Sequence, residues 1–127
     1  MIILFVNCSL FPFIEWILSG LKTYETRNRN TLKSLINKKV YLAATGKGKR
    51  PIVYGYCIIT DVIKVTNKRT YNRYRKQTKI EKASRFDWQS DTKQKYLYKL
   101  ENVSRCSPFP LPDNVKRHGR IYCEVID

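Results

Sequence analysis

Acidic residues are what this chain most lacks. Ten Asp and Glu stand against twenty-five Lys and Arg among 127 residues, a formal net charge of +15. Few interior cations can be matched by such a small supply of carboxylates, so most of the positive charge must lie in solvent, where it attracts polyanions over about a Debye length, ~8 Å at physiological salt. Histidine is nearly absent as well. His118 stands alone between Arg117 and Gly119, which suits an exposed position and leaves no Ser/His/Asp constellation to build. The four cysteines (Cys8, Cys57, Cys106 and Cys123) are far apart with no C-x-x-C pair, so zinc spacing is missing and no metal or other cofactor is expected. Free thiols of this kind fit a cytoplasmic protein. No apolar run reaches the roughly 18–20 residues of a spanning helix, and the apolar start, Met1 to Leu18, lacks the basic flank of a signal peptide and carries Asn7, Glu15 and Trp16. A membrane partner is therefore not expected.

What is present is one domain's worth of chain with 43% hydrophobic residues, a globular composition. A monomer is the expected state. Ile2 to Val6 is a continuous branched and aromatic run, the pattern of a central strand with no wet face. Ser9 offers an N-cap, Pro12 suits a first helical turn, and Gly20 supplies a stop, so a two-turn helix is expected between them. Lys22 to Asn30 reads as a polar loop and Thr31 to Ile36 as a helical turn. Val40 to Thr45 and the long run Ile52 to Val65 read as strands, the second being one bent strand or two. Gln94 to Val103 and Arg120 to Ile126 complete the β-prone segments. The stretch Pro108 to Pro112 is extended and cannot be a central strand. Five or six short strands with one or two short helices predict an α+β fold built on a small mixed β-barrel.

Residues 67–93 change character and read as a basic insertion. From Lys64 to Arg85 there are nine Lys or Arg and one acid, Glu81. Helix is an option for Lys79 to Phe86, and so is a mobile excursion. Tyr71 and Tyr74 are interleaved with Arg73, Arg75 and Lys76, the arrangement that stacks bases while cations track phosphates, at ~1–3 kcal/mol per stacked base. A solvated charged loop is the plainer alternative. The turn Lys47-Gly48-Lys49-Arg50 can receive a phosphate, although no Ser or Thr follows its lysine in P-loop spacing. Thr45, at a strand end, can donate to a ligand, and Phe13 beside Pro12 can either line a cleft or fill the core.

The segment Gly20-Leu21-Lys22-Thr23-Tyr24-Glu25-Thr26-Arg27 fits G-x-K-x-x-E-x-R. Placed after a short Pro-initiated helix, it resembles the ASCH (activating-signal-cointegrator homology) domain, a relative of the PUA fold. Pro12-Phe13 with Trp16 to Gly20, the strands Tyr41 to Thr45 and Gly55 to Val62, and the proline-rich turn before a final strand follow in the family's order. Phe11 departs from the family's Gln before the proline, and Lys116 to Arg120 replaces its Gly-rich approach to the last strand. The resemblance implies a barrel with a cleft beneath the helix, lined by the motif, and a role in RNA binding. It also implies a hydrolytic alternative, because one similar group cleaves single-stranded RNA and another deacylates N4-acylated cytidine with a lysine, a threonine and a glutamate. On that reading Lys22, Glu25 and Thr23 are the catalytic candidates, although the deacylases place their threonine nucleophile where this chain has Glu25. In an extended stretch Glu25 and Arg27 share a face, since the period is two. An ion pair there would stiffen the motif and leave Lys22 to address phosphate or act as a base. The candidate nucleic-acid contacts are Phe13, Lys22, Arg27, Arg29, Thr45, Lys47, Lys49, Arg50, Arg73, Tyr74, Arg75 and Lys76, with RNA as the expected partner because single strands expose their bases.

Overall fold

The computed structural model describes residues 1–46 and 48–126. The apolar run at the start forms β1 (Ile2–Asn7), with Ile3 to Val6 buried on both faces. The short helix follows as α1 (Phe13–Leu18), then β2 (Tyr24–Arg27), a 3-10 turn (Lys33–Leu35), β3 (Lys39–Thr45) and β4 (Ile52–Val65). The basic segment opens with α2 (Lys68–Arg73) and α3 (Arg75–Thr78), and the chain ends with β5 (Lys95–Pro110), β6 (Val115–His118) and β7 (Tyr122–Val125). The strands form one sheet in the order β2-β5-β4-β3-β1-β7-β6, in which β1 runs parallel to β3 and every other pair is antiparallel.

The small α+β fold agrees with the sequence reading, and several of its parts differ. There are seven strands rather than five or six, three short α-helices rather than one or two, and the ladder does not close between β2 and β6 among the described residues. The motif Tyr24 to Arg27 is a strand, not a loop: Tyr24 and three polar residues form an edge strand paired to β5. Ser9 is not the N-cap of α1. Its hydroxyl donates to Asn7 Oδ1 at 2.7 Å, and Pro12 takes the cap position. Gly20 does end the helix, at φ +84°, where a side chain would strain the backbone. The helices of the basic segment lie at 68–78 rather than 79–86. Asn67 caps α2 by accepting from the Thr70 N–H at 2.8 Å, and Lys79 ends α3 in the left-handed conformation. β5 runs on through Pro108 to Pro110, where only β4 pairs with it, so a missing N–H costs no ladder bond on the open side.

β1 alternates between two cores. Leu4 and Val6 pack with Phe13, Ile14 and Ile17 of α1 and with Leu42, Ile59, Tyr98 and Leu100, while Ile3 and Phe5 face Ala43, Val53, Leu111 and Cys123. Each of the three α1 side chains buried there is worth about 1.5–3 kcal/mol of removed apolar surface. The helix can approach β4 only because position 55 is glycine. A Cβ on Gly55 would collide with the Ser104 carbonyl and a Leu18 methyl. A third cluster of Val65, Tyr71 and Leu97 anchors the basic segment to the far end of β4 and β5. No helix among the described residues is long and apolar enough to cross a membrane.

Candidate nucleic-acid interface

After α1 the chain turns at Gly20, and the Lys22 N–H donates to the Trp16 carbonyl at 2.9 Å, which carries the lysine under the helix. Lys22 is 1% exposed. Its Nζ donates to the Thr78 carbonyl at 2.5 Å, lies 4.8 Å from the Phe13 ring centre and is 3.9 Å from Glu25 Oε1. Burial pushes its pKa below the ordinary lysine value. Glu25 opposes that shift and Arg27 adds to it. On β2, Glu25 and Arg27 share the face that the period of two assigns them. Glu25 Oε2 lies 3.7 Å from Arg27 Nη2, which also donates to the Phe5 carbonyl at 3.1 Å.

Above this floor lies a cleft of about 220 Å³. Glu25 and Arg27 line one wall, Phe13 another, and Ile80, Arg85, Phe86 and Lys95 close it from the basic segment. Phe13 and Phe86 meet edge to face with ring centres 5.3 Å apart. Lys95 is 4% exposed and its Nζ donates to the Phe86 carbonyl at 3.0 Å. Desolvation lowers its pKa against the pull of Asp87. The segment 79–94 is thus a strap across the mouth of the cleft, held by Asp87. That carboxylate accepts from the Ala83 N–H at 2.8 Å, the Trp88 N–H at 2.7 Å and Arg75 Nη2 at 3.0 Å. Burial alone would raise the Asp87 pKa, and these donors together hold it below the ordinary carboxylate value.

The expected site residues fall into four groups. Phe13 and Arg27 line the cleft together with Glu25, while Lys22 lies beneath it, its ammonium occupied by Thr78 and Glu25. Thr23 is tied by its backbone to Gln77 and Leu100, and Thr45 by its carbonyl to the Cys8 N–H; neither lines the cleft. Arg75 is an internal staple between α3 and Asp87, and Tyr74 packs edge to face on Tyr24 at 5.7 Å. Tyr71 is fully buried, so it supports α2 and is not available for stacking. Arg73, Lys76 and Arg29 are exposed, and Lys49 and Arg50 border a second hollow on the opposite side of α1. Lys47 lies outside the described residues. Sequence reasoning missed Lys95, and it placed Arg85 and Phe86 in or beside the basic segment without naming them as site residues. Lys95 did leave a signal, since it shares the inward parity of Leu97 on β5, an unusual place for a lysine.

No family model and no curated protein matches the sequence. Solved structures do. The chain resembles an ASCH protein of Zymomonas mobilis, with a TM-score of 0.71 and 20% identity over 87% of this chain and 73% of that one. Two single-substitution variants of the same protein, a serine-to-alanine and a tyrosine-to-phenylalanine form, superpose equally well. Their TM-scores are 0.70 and 0.69, their identities 20% and 21%, and they cover 86% and 87% of this chain and 72% and 75% of theirs. At that identity the likeness is one of fold, so the chain has the ASCH, PUA-like architecture.

Proposed function

We propose that this protein binds single-stranded RNA by seating one base, ordinary or modified, in the cleft above Lys22. The observation that carries this reading is an aromatic-walled hollow, Phe13 against Phe86, in which three cations, Arg27, Arg85 and Lys95, outnumber the single carboxylate of Glu25. Its volume lies below the range of about 300–1,000 Å³ typical of drug-sized ligands, which favours a single base over a larger ligand. The exposed cations Arg73, Lys76, Lys82 and Arg85 then meet the phosphates on either side. In a filter-binding titration, log K should fall steeply with log salt, by about 0.7 for each phosphate neutralised. Arg85→Ala should make that slope shallower by about the same amount, and Phe86→Ala should weaken binding roughly 5- to 150-fold. Absence of RNA binding at low salt would overturn the reading.

A hydrolytic role is the second reading, and the buried Lys22–Glu25 pair favours it. Glu25 borders the cleft with the buried Lys22 Nζ 3.9 Å from its Oε1, so its carboxylate is the group placed to accept a proton from a water. Thr23 does not line the cleft, so a threonine nucleophile has less support than a water. Incubation with single-stranded RNA and with N4-acetylcytidine, alongside Glu25→Gln, tests this role. Turnover that survives the substitution removes Glu25 from the chemistry.

A further inference from the structure

The larger hollow lies on the other side of the chain that joins β1 to α1. Its volume is about 660 Å³, within the ordinary range for ligand pockets. Ile14, Ile52, Tyr54 and Pro108 supply apolar and planar walls, and Tyr54 is among the few large apolar side chains left exposed, at 39%. Lys49, Arg50 and Arg105 stand on its rim with one carboxylate, Glu15. Arg105 already holds Glu15 through two bonds of 2.6 and 3.0 Å, and Arg50 is paired with Asp113. Lys49 forms no ion pair among the described residues and stands exposed to receive an added anion.

Residues 7–15 are the partition between the two hollows. Asn7 and Phe13 face the cleft, whereas Cys8, Pro12 and Ile14 face the groove. Asn7 Oδ1 stiffens the partition by accepting from both the Ser9 N–H and its hydroxyl. Arg85, which lines the cleft, reaches over and donates to Ser9 Oγ at 3.3 Å, with its guanidinium 4.8 Å from the Phe86 ring centre. A cation therefore sits on top of the partition, with an aromatic-walled hollow on each side of it.

Resting on the RNA reading above, we infer that the groove is a second nucleotide subsite. The base next to the one in the cleft lies against Tyr54 and Pro108, the phosphate joining the two nucleotides crosses the partition at Arg85, and the following phosphate meets Lys49. An apolar floor ringed by cations has the charge and shape of a single-strand site, in which stacking surfaces alternate with phosphate contacts. This subsite needs a strand longer than one nucleotide, so chain length is the discriminating variable.

Affinity should be measured by calorimetry for a nucleoside monophosphate, a trinucleotide and a hexanucleotide, in RNA and DNA forms, at one low salt concentration. The wild type should gain affinity from mononucleotide to trinucleotide. Tyr54→Ala should remove roughly 5- to 150-fold of that gain. Lys49→Ala should make the salt slope of hexanucleotide binding shallower by about 0.7. Both residues are exposed, so the fold should be kept, and circular dichroism checks it. If Tyr54→Ala retains the whole length-dependent gain, or the wild type shows none, the second subsite is wrong while the cleft reading stands. If the wild type binds none of the probes, the RNA reading fails and takes this inference with it.

Discussion

Lys22 shows how one buried side chain can tie a motif together. Its ammonium bridges the Thr78 carbonyl of the basic segment and Glu25 of β2 beneath the Phe13 ring. It is therefore the floor of the site rather than a contact for phosphate. Burial makes that charge expensive, so the folded-state pKa lies below the unfolded value of 10.5. Between those two values the unfolded chain holds a proton that the folded chain has released, and stability must rise with pH across that window. Below the window the folded protein carries the desolvated charge in full. Burial of Cys57, whose thiol is pushed up to about 12 chiefly by desolvation and also by Glu25, works the other way in alkali. The prediction is therefore a difference between two proteins. Urea denaturation of the wild type and of Lys22→Met, pH by pH, should show the wild type gaining relative to the variant as pH climbs toward 10.5, with a limiting slope of ~1.4 kcal/mol per pH unit. A difference independent of pH would mean that Lys22 is as well solvated in the folded protein as in the unfolded chain, against the burial of its side chain.

At the scale of elements, the strap over residues 79–94 has almost no regular structure of its own and hangs on two buried charges, Asp87 and Lys95. Asp87→Ala takes the carboxylate from two backbone N–H groups and leaves the Arg75 guanidinium with only Asn72 and the Ile80 carbonyl, at a cost of about 1–3 kcal/mol for each buried donor left unpaired. The loss should be local. Hydrogen exchange should accelerate across 79–94, while the amides of β1, β3 and β4 stay protected. Acid should act similarly on the wild type. The Asp87 pKa lies below its ordinary value of 3.8, so the stability it supplies is present above that value and is lost as pH falls through the lower, folded-state pKa. The strap also shows where sequence reading runs out. β1 is legible because an unbroken run of branched residues can only be a central strand, and Glu25 beside Arg27 is legible because a period of two needs no tertiary knowledge. β2 looks like a loop because an edge strand paired to one neighbour need not bury an apolar face. Arg75 reads as a phosphate contact because its partner, Asp87, comes twelve residues later, beyond any local pattern. The same holds for Lys95, whose role depends on the Phe86 carbonyl that the fold brings to it.

Across the whole molecule, the scarce carboxylates are largely spent on internal partners. Glu25 faces Lys22 and Arg27, Asp87 holds Arg75, Glu15 holds Arg105, Asp113 holds Arg50, Glu101 holds Lys99, and Glu124 lies against His118. The +15 surplus is thereby left largely without carboxylate partners, and the stretch 64–78 alone carries six Lys or Arg and no acid. Exposed ion pairs contribute about 0–1 kcal/mol each, too little to offset the mutual repulsion of so many like charges. Added salt should therefore stabilise this protein: Tm should rise between about 20 and about 200 mM sodium chloride as the Debye length shortens. A Tm that falls over that range would mean that the ion pairs outweigh the repulsion. Polyanions separate the general effect from the specific one. Heparin relieves repulsion without offering bases, so at low salt it should raise Tm, and about 200 mM salt should remove most of the gain. If single-stranded RNA stacks on Phe86 and Tyr54 as proposed, it adds an interaction that salt screens poorly, and part of its Tm increase should survive the same salt. If RNA and heparin lose their effects together, the molecule is recognising charge alone, and neither hollow is receiving a base.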